Sequence, residues 1–138
     1  MLDKKLSEIS SGALAYLGDC VLELRVREFL VSCGISHAAD LNRAALDFVR
    51  AAAQSDAVEK IYGMLDEEEQ AAFRRGRNIG HTNTPKSATA LQYRRATGME
   101  ALSATCTCAA KMSESTSFLP SLTPKPSKNI KKYKRKDK

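Results

Sequence analysis

Two short stretches of this chain set a glycine beside an acid within otherwise apolar, helix-forming sequence. One runs Leu14-Ala15-Tyr16-Leu17-Gly18-Asp19-Cys20-Val21-Leu22-Glu23, the other Tyr93-Arg94-Arg95-Ala96-Thr97-Gly98-Met99-Glu100-Ala101-Leu102. A glycine inside a helix costs about 0.8–1 kcal/mol relative to alanine, so it usually has a packing or site reason. Aspartate is a poor helix former too. Taken singly, each acid reads better as an ordinary solvated residue. Taken together, two acids on facing helices drawn close by their glycines offer the oxygen ligands that a hard cation such as magnesium takes beside its retained waters. Asp19 and Glu100 are therefore the candidate catalytic and metal-binding residues.

A third cluster is basic and polar. Arg74, Arg75, Arg77 and Asn78 lead into a loop with Thr82, Asn83, Thr84 and Lys86, and Arg94 follows. Guanidiniums and amides at a loop suit phosphate and 2′-hydroxyl contacts on A-form RNA, although a solvated helix end would look the same in isolation. Arg74, Arg75, Arg77, Asn78, Lys86 and Arg94 form the candidate RNA-contacting set.

These residues need helices to hold them, and the pattern supplies helices throughout. Leu14, Leu17, Val21 and Leu24 recur at three- and four-residue steps and predict one helix from Ser10 to about Cys33, with Gly34 as its stop. Asp40 is the expected N-cap of a second helix carrying Leu41, Ala44, Ala45, Phe48, Val49 and Ala52. The same pattern continues through Ala57, Val58, Ile61 and Leu65, with a break expected near Ser55. Asp66 is the expected N-cap of the next helix, with Glu67, Glu68 and Glu69 in the first turn, where the helix dipole favours negative charge. A last helix is expected from about Ala88. The reading is all-α, with no strand.

Composition sets the bounds. A chain of 138 residues with 43% apolar and 28% charged residues has room for one domain with one modest core. No stretch approaches the roughly 18 uninterrupted apolar residues of a membrane span, and the N-terminal MLDKKLSEIS has no apolar stretch after its charges. No membrane association and a cytoplasmic location are the expectations. The net charge of +6 suggests nucleic acid, but eight Lys/Arg against one acid lie from Pro124 onward, leaving 14 basic and 15 acidic residues before it. The basic surplus is a tail. Cys20 and Cys33 fall in helical patterns as buried free thiols, and Cys106-x-Cys108 lacks a second ligand pair for zinc.

The blocks also resemble a known family. Leu14 to Glu23 looks like the ribonuclease III signature, whose core is an apolar residue followed by Leu-Gly-Asp and an apolar helix. The Arg74-to-Asn78 block, then Thr84-Pro85-Lys86, then Tyr93 to Leu102, is similar in order and spacing to Mini-ribonuclease III, the short form without a double-stranded-RNA-binding domain. The likeness covers roughly residues 8–102. It implies a helical endonuclease domain that dimerises, with Asp19 as the catalytic aspartate and Glu100 as the metal-binding glutamate. Ala15 and Thr97 stand where longer family members carry two further acids, so water would complete the magnesium shell. Glu23 would assist, if at all, through a water. The implied activity is magnesium-dependent cleavage of double-stranded RNA by a homodimer, leaving 5′ phosphate and 3′ hydroxyl ends. Its implied role is maturing the ends of large-subunit ribosomal RNA precursor. Alternative readings are a non-catalytic RNA-binding or ribosome-assembly factor on the same scaffold, and a plain helical dimerisation module.

After Leu102 the sequence departs from the family. Ser103-Ala104-Thr105-Cys106-Thr107-Cys108 is a poor core helix, and a Ser/Thr/Pro-rich stretch and a lysine run follow. Reading the implied codons one nucleotide earlier allows Ile-Gly-Tyr-Leu-Tyr-Leu-Arg-Gly-Lys-Asp-Glu-Arg-Ile-Asn-Glu-Leu, which resembles the missing family helix. The expected organisation is thus a helical domain over 1–102 and an atypical tail over 103–138, disordered and introduced by a frameshift.

Overall fold

The computed structural model describes residues 5–80, 85–108 and 130–133. They form α1 (Ser11–Ser32), α2 (Ala38–Val49), α3 (Ala51–Ile61), α4 (Glu67–Arg77) and α5 (Ala90–Cys108), with 3-10 turns at Leu6–Glu8, Tyr62–Met64 and Ile130–Tyr133. No strand occurs among the described residues, so the all-α expectation holds. No described helix is long and apolar enough to cross a membrane.

The Ser10 hydroxyl accepts the Ala13 N–H at 3.2 Å and caps α1, while Gly34 ends it with φ at 82°, a left-handed value that suits glycine. Leu14, Gly18, Leu22, Val26 and Leu30 form its buried row at four-residue steps. Leu24, expected in the core, is 56% exposed because it lies two residues from both Leu22 and Val26 and faces away. Cys20 is exposed rather than buried for the same reason, and Cys33 is half-buried.

Two boundaries differ from expectation. α2 begins at Ala38, with His37 at its cap, so Asp40 sits buried in the first turn near Arg43 instead of capping it. Ala38 and Ala39 are strong helix formers and extend the helix backward. The break comes at Arg50, whose ψ of 143° separates α2 from α3, and Ser55 lies buried inside α3. Asp66 does cap α4: its carboxylate accepts the Glu69 N–H and the Glu69 carboxylate accepts the Asp66 N–H, both at 2.9 Å. The same reciprocal bonding joins Thr89 and Gln92 at the start of α5, which places that start at Ala90.

α5 is the central helix and packs against α1, α3 and α4. Leu22, Val58, Ile61, Leu65, Phe73, Met99 and Leu102 form the main apolar cluster around it, and Leu14 meets Ala101 and Ala104 at its other side. The helix continues past Leu102 to Cys108, with Ser103, Ala104 and Thr105 buried. The hydroxyls of Ser103 and Thr105 donate to the carbonyls of Met99 and Ala101 at 2.9 and 3.0 Å, which satisfies them inside an apolar surround.

Part of the tail is also placed. Ile130 is buried in the α1–α2 cluster with Val26, Leu30, Ile35, Ala44 and Phe48. The Lys132 ammonium and the Tyr133 hydroxyl each donate to the Asp47 carboxylate at 3.0 Å. Those bonds, with the Lys132 and Arg50 charges, outweigh partial burial and hold the Asp47 carboxyl below its ordinary pKa. The lysine run hides two apolar anchors, Ile130 and Tyr133, which composition averages away. The Ser/Thr/Pro stretch lies outside the described residues.

Candidate active site

Gly18 lies against the main chain of Glu100. A Cβ added at Gly18 would overlap the Glu100 carbonyl group, so α1 and α5 reach this separation only because position 18 has no side chain. The crossing sets Asp19, one residue along α1, beside Glu100 of α5. Asp19 is exposed and Glu100 half-buried. Burial, and then the neighbouring Asp19 charge, push the Glu100 carboxyl up to about 7.

Neither carboxylate has a cation or hydrogen-bond donor beside it among the described residues. Two acids held close, one raised by burial and repulsion, with no neutralising group, make a site that a hard divalent cation would relieve. No group of three or more His, Cys, Asp or Glu side chains is arranged for a metal among the described residues, so protein ligands would number two. Magnesium suits such a site, since it commonly keeps several waters and takes one or two carboxylates. The Glu23 carboxylate pairs with Arg27 at 2.6 Å, one turn along α1.

The basic candidates scatter around the C-terminal end of α4 and the start of α5. Arg74 is exposed and donates to the Tyr62 hydroxyl at 3.4 Å. Arg77 is half-buried, with its guanidinium 6.0 Å from the centre of the Phe73 ring and its Nε donating to Asn78. Asn78 is the exposed C-cap of α4, and Lys86 and Arg94 are exposed. Arg75 points elsewhere. Its half-buried guanidinium donates to the carbonyl of Ile9 and ties the start of α1 to α4. Thr82, Asn83 and Thr84 lie outside the described residues. The sequence reading missed Arg95, which pairs with Glu59 of α3 at 3.3 Å, a contact with no signature in local spacing.

A second close approach supports this end of the bundle. A Cβ at Gly76 would lie 2.6 Å from the Thr97 carbonyl oxygen and 2.9 Å from the Gly98 Cα, and one at Gly98 would lie 2.6 Å from the Phe73 ring. Gly18, Gly76 and Gly98 are thus packing residues, and α5 is pressed from two sides.

Comparison with known proteins identifies the family of the fold. The family described as "Ribonuclease III domain" matches residues 12–111. The chain is 42% identical over 103 residues to a Mini-ribonuclease 3 of Desulfitobacterium hafniense, covering 73% of this chain and 64% of that protein. It is 45% identical over 89 residues to that of Symbiobacterium thermophilum, covering 64% and 68%, and 38% identical over 97 residues to that of Enterococcus faecalis, covering 69% and 74%. The chain therefore spans about two thirds of the length of the curated relatives it matches. A crystal structure of a Fusobacterium nucleatum protein superposes with a TM-score of 0.75 at 31% identity, covering 85% of this chain and 93% of that one. Matched by that family over residues 12–111 and similar in sequence and fold to these proteins, the chain belongs to the ribonuclease III family, alongside the Mini-ribonuclease 3 proteins.

Proposed function

We propose that this chain is a magnesium-dependent endoribonuclease that cuts double-stranded RNA. The observation that carries the reading is the uncompensated pair of carboxylates, Asp19 and Glu100, fixed at the Gly18 crossing. These two residues would hold the ion. A magnesium ion bound there supplies a water of lowered pKa and positive charge to oppose the negative charge of phosphodiester cleavage. The chain's own part is to fix the two carboxylates on helices whose separation cannot vary, so that reacting groups are oriented in advance. Arg74, Arg77, Asn78, Lys86 and Arg94 would contact the phosphate backbone, which orients a duplex without reading its sequence.

The same reading makes the substrate a large-subunit ribosomal RNA precursor, the active form a homodimer and the location cytoplasmic. For the dimer, supporting surface exists on α1, where Tyr16, Leu24 and Val31 are 81%, 56% and 59% exposed. It also holds that residues 103–138 are the product of a shifted frame. Resequencing the gene tests that part: an uninterrupted frame for the tail as written sinks the sequencing-error version.

The function itself is tested by incubating a labelled RNA duplex with the purified chain, with magnesium and then with chelator. Cutting should need the metal and vanish in Asp19→Asn. Tight duplex binding without cutting would favour the non-catalytic RNA-binding reading.

A further inference from the structure

A cleft of about 290 Å³ opens between α3, α4 and α5, lined by Val58, Glu59, Tyr62, Phe73, Arg77 and Arg95. It is separate from the acid pair. Arg95 and Glu100 are five residues apart on α5, so they point to nearly opposite sides of that helix. The half-buried Tyr62 ring supplies the aromatic side of the cleft and rests edge to face on the buried Phe73 ring, with centres 5.3 Å apart. Above it the Arg95 guanidinium and the Glu59 carboxylate stand side by side at 3.3 Å, and Arg77 lies over the Phe73 ring.

The chemistry of this lining selects among RNA groups. A phosphate would suit the two guanidiniums but would be repelled by Glu59. A purely apolar ligand would waste both charges. A flat heterocycle with donors next to an acceptor suits the Glu59–Arg95 pair beside Tyr62: the base stacks on the ring, the carboxylate accepts two N–H groups, and the guanidinium donates to a carbonyl oxygen. Among the four RNA bases, only guanine offers a carboxylate two adjacent N–H donors, at N1 and N2, beside the acceptor O6. The Glu59–Arg95 pair matches that order. A cleft of this size accommodates one base.

We propose that the α3–α4–α5 cleft is a guanine-binding site, with Glu59 accepting from N1 and N2, Arg95 donating to O6, and the half-buried Tyr62 ring as the stacking surface. The guanine is an unpaired base of an RNA strand or a free guanine nucleotide, since both present the same ring. Unpaired bases are the part of RNA that side chains can stack on and read at their edges. The site does not depend on the metal-binding acids.

Calorimetric titration of the full chain in chelator, where nuclease chemistry is silent, tests this directly. Guanosine monophosphate should bind at least about fivefold more tightly than adenosine monophosphate, with inosine monophosphate, which lacks the N2 amine, between them; that factor is the low end for one good bidentate pair. Glu59→Gln, at a 64%-exposed side chain, leaves the fold intact and should abolish the guanine preference. Arg95→Met should weaken guanosine monophosphate binding as well. A second arm compares RNA duplexes ending in one unpaired guanosine or one unpaired adenosine: a guanosine advantage assigns the site to RNA, and its absence with a retained mononucleotide preference assigns it to the free nucleotide. Equal binding of the three monophosphates, competition by inorganic phosphate alone, or a guanine preference unchanged in Glu59→Gln would overturn the proposal. Loss of cleavage in Asp19→Asn has no bearing on this readout, so failure of either reading is visible separately.

Discussion

The α1–α5 and α4–α5 crossings use one packing device for two ends. At both, a glycine lets a helix touch the main chain of α5: Gly18 meets Glu100, and Gly76 meets Thr97 and Gly98. At the α4–α5 crossing the closeness is filled by the Phe73 ring and Ala101, and no pair of like charges is brought together among the described residues. At the α1–α5 crossing it strands two carboxylates together without a counter-charge among the described residues. Close packing alone is a stability feature. Close packing that leaves an acid partly buried and unpaired costs stability, and that cost is the mark of a site.

The contrast breaks hardest at the glycines. Gly18→Ala must separate α1 from α5 at the main chain, and the overpacking should destabilise by about 2–3 kcal/mol net of the better helix propensity of alanine, with cleavage lost. Gly76→Ala meets the Thr97 carbonyl less severely and should cost about 1–2 kcal/mol while leaving measurable cleavage. Chemical denaturation and cleavage rates of the two variants settle the ranking. Next come the acids themselves. Asp19→Asn and Glu100→Gln should each lower cleavage on the order of 100-fold or more without lowering the melting temperature of the metal-free protein.

A smaller effect follows from Glu100's raised pKa. Its carboxyl moves from 4.5 to about 7, so the folded chain holds a proton that the unfolded chain releases near pH 4.5. The stabilising difference is complete below pH 4.5 and is lost as pH rises through 7. Melting of the metal-free protein should therefore occur at lower temperature at pH 8 than at pH 5 on account of this group, and Glu100→Gln should remove that component. No difference in slope between the two proteins would show that Glu100 ionises without cost.

The smallest expected effect separates two neighbouring arginines. Arg77→Gln should reduce the slope of log affinity for duplex RNA against log salt by about 0.7–0.9, the loss of one phosphate contact. Arg75→Gln should leave that slope alone and lower stability by about 1–3 kcal/mol, because its guanidinium is spent on the Ile9 carbonyl. Equal slopes for both variants would remove the distinction.

Much of this was legible in residue order, for physical reasons that can be named. Ser10, Gly34 and the Asp66–Glu69 box act within one helical turn, so their types announce the ends of α1 and α4. Gly18 with Asp19 and Gly98 with Glu100 are costly inside helices and therefore stand out. The break at Arg50 carries no glycine or proline and comes from how α2 and α3 pack, which spacing does not encode. Arg75 and Arg95 look alike in sequence as members of one basic cluster, yet their partners Ile9 and Glu59 are set by the fold. The continuation of α5 to Cys108 is not legible in residue type, because serine and threonine read as polar yet in a helix can return their hydroxyls to the preceding turn.

Manganese binding followed by electron paramagnetic resonance, with the metal-free chain and its Asp19→Asn and Glu100→Gln variants, addresses the acid pair most directly. One saturable site in the unaltered chain, displaced by magnesium and weakened in both variants, is the expected result. A site that survives both substitutions, or no site at all, would contradict the assignment of Asp19 and Glu100 as the metal-binding pair.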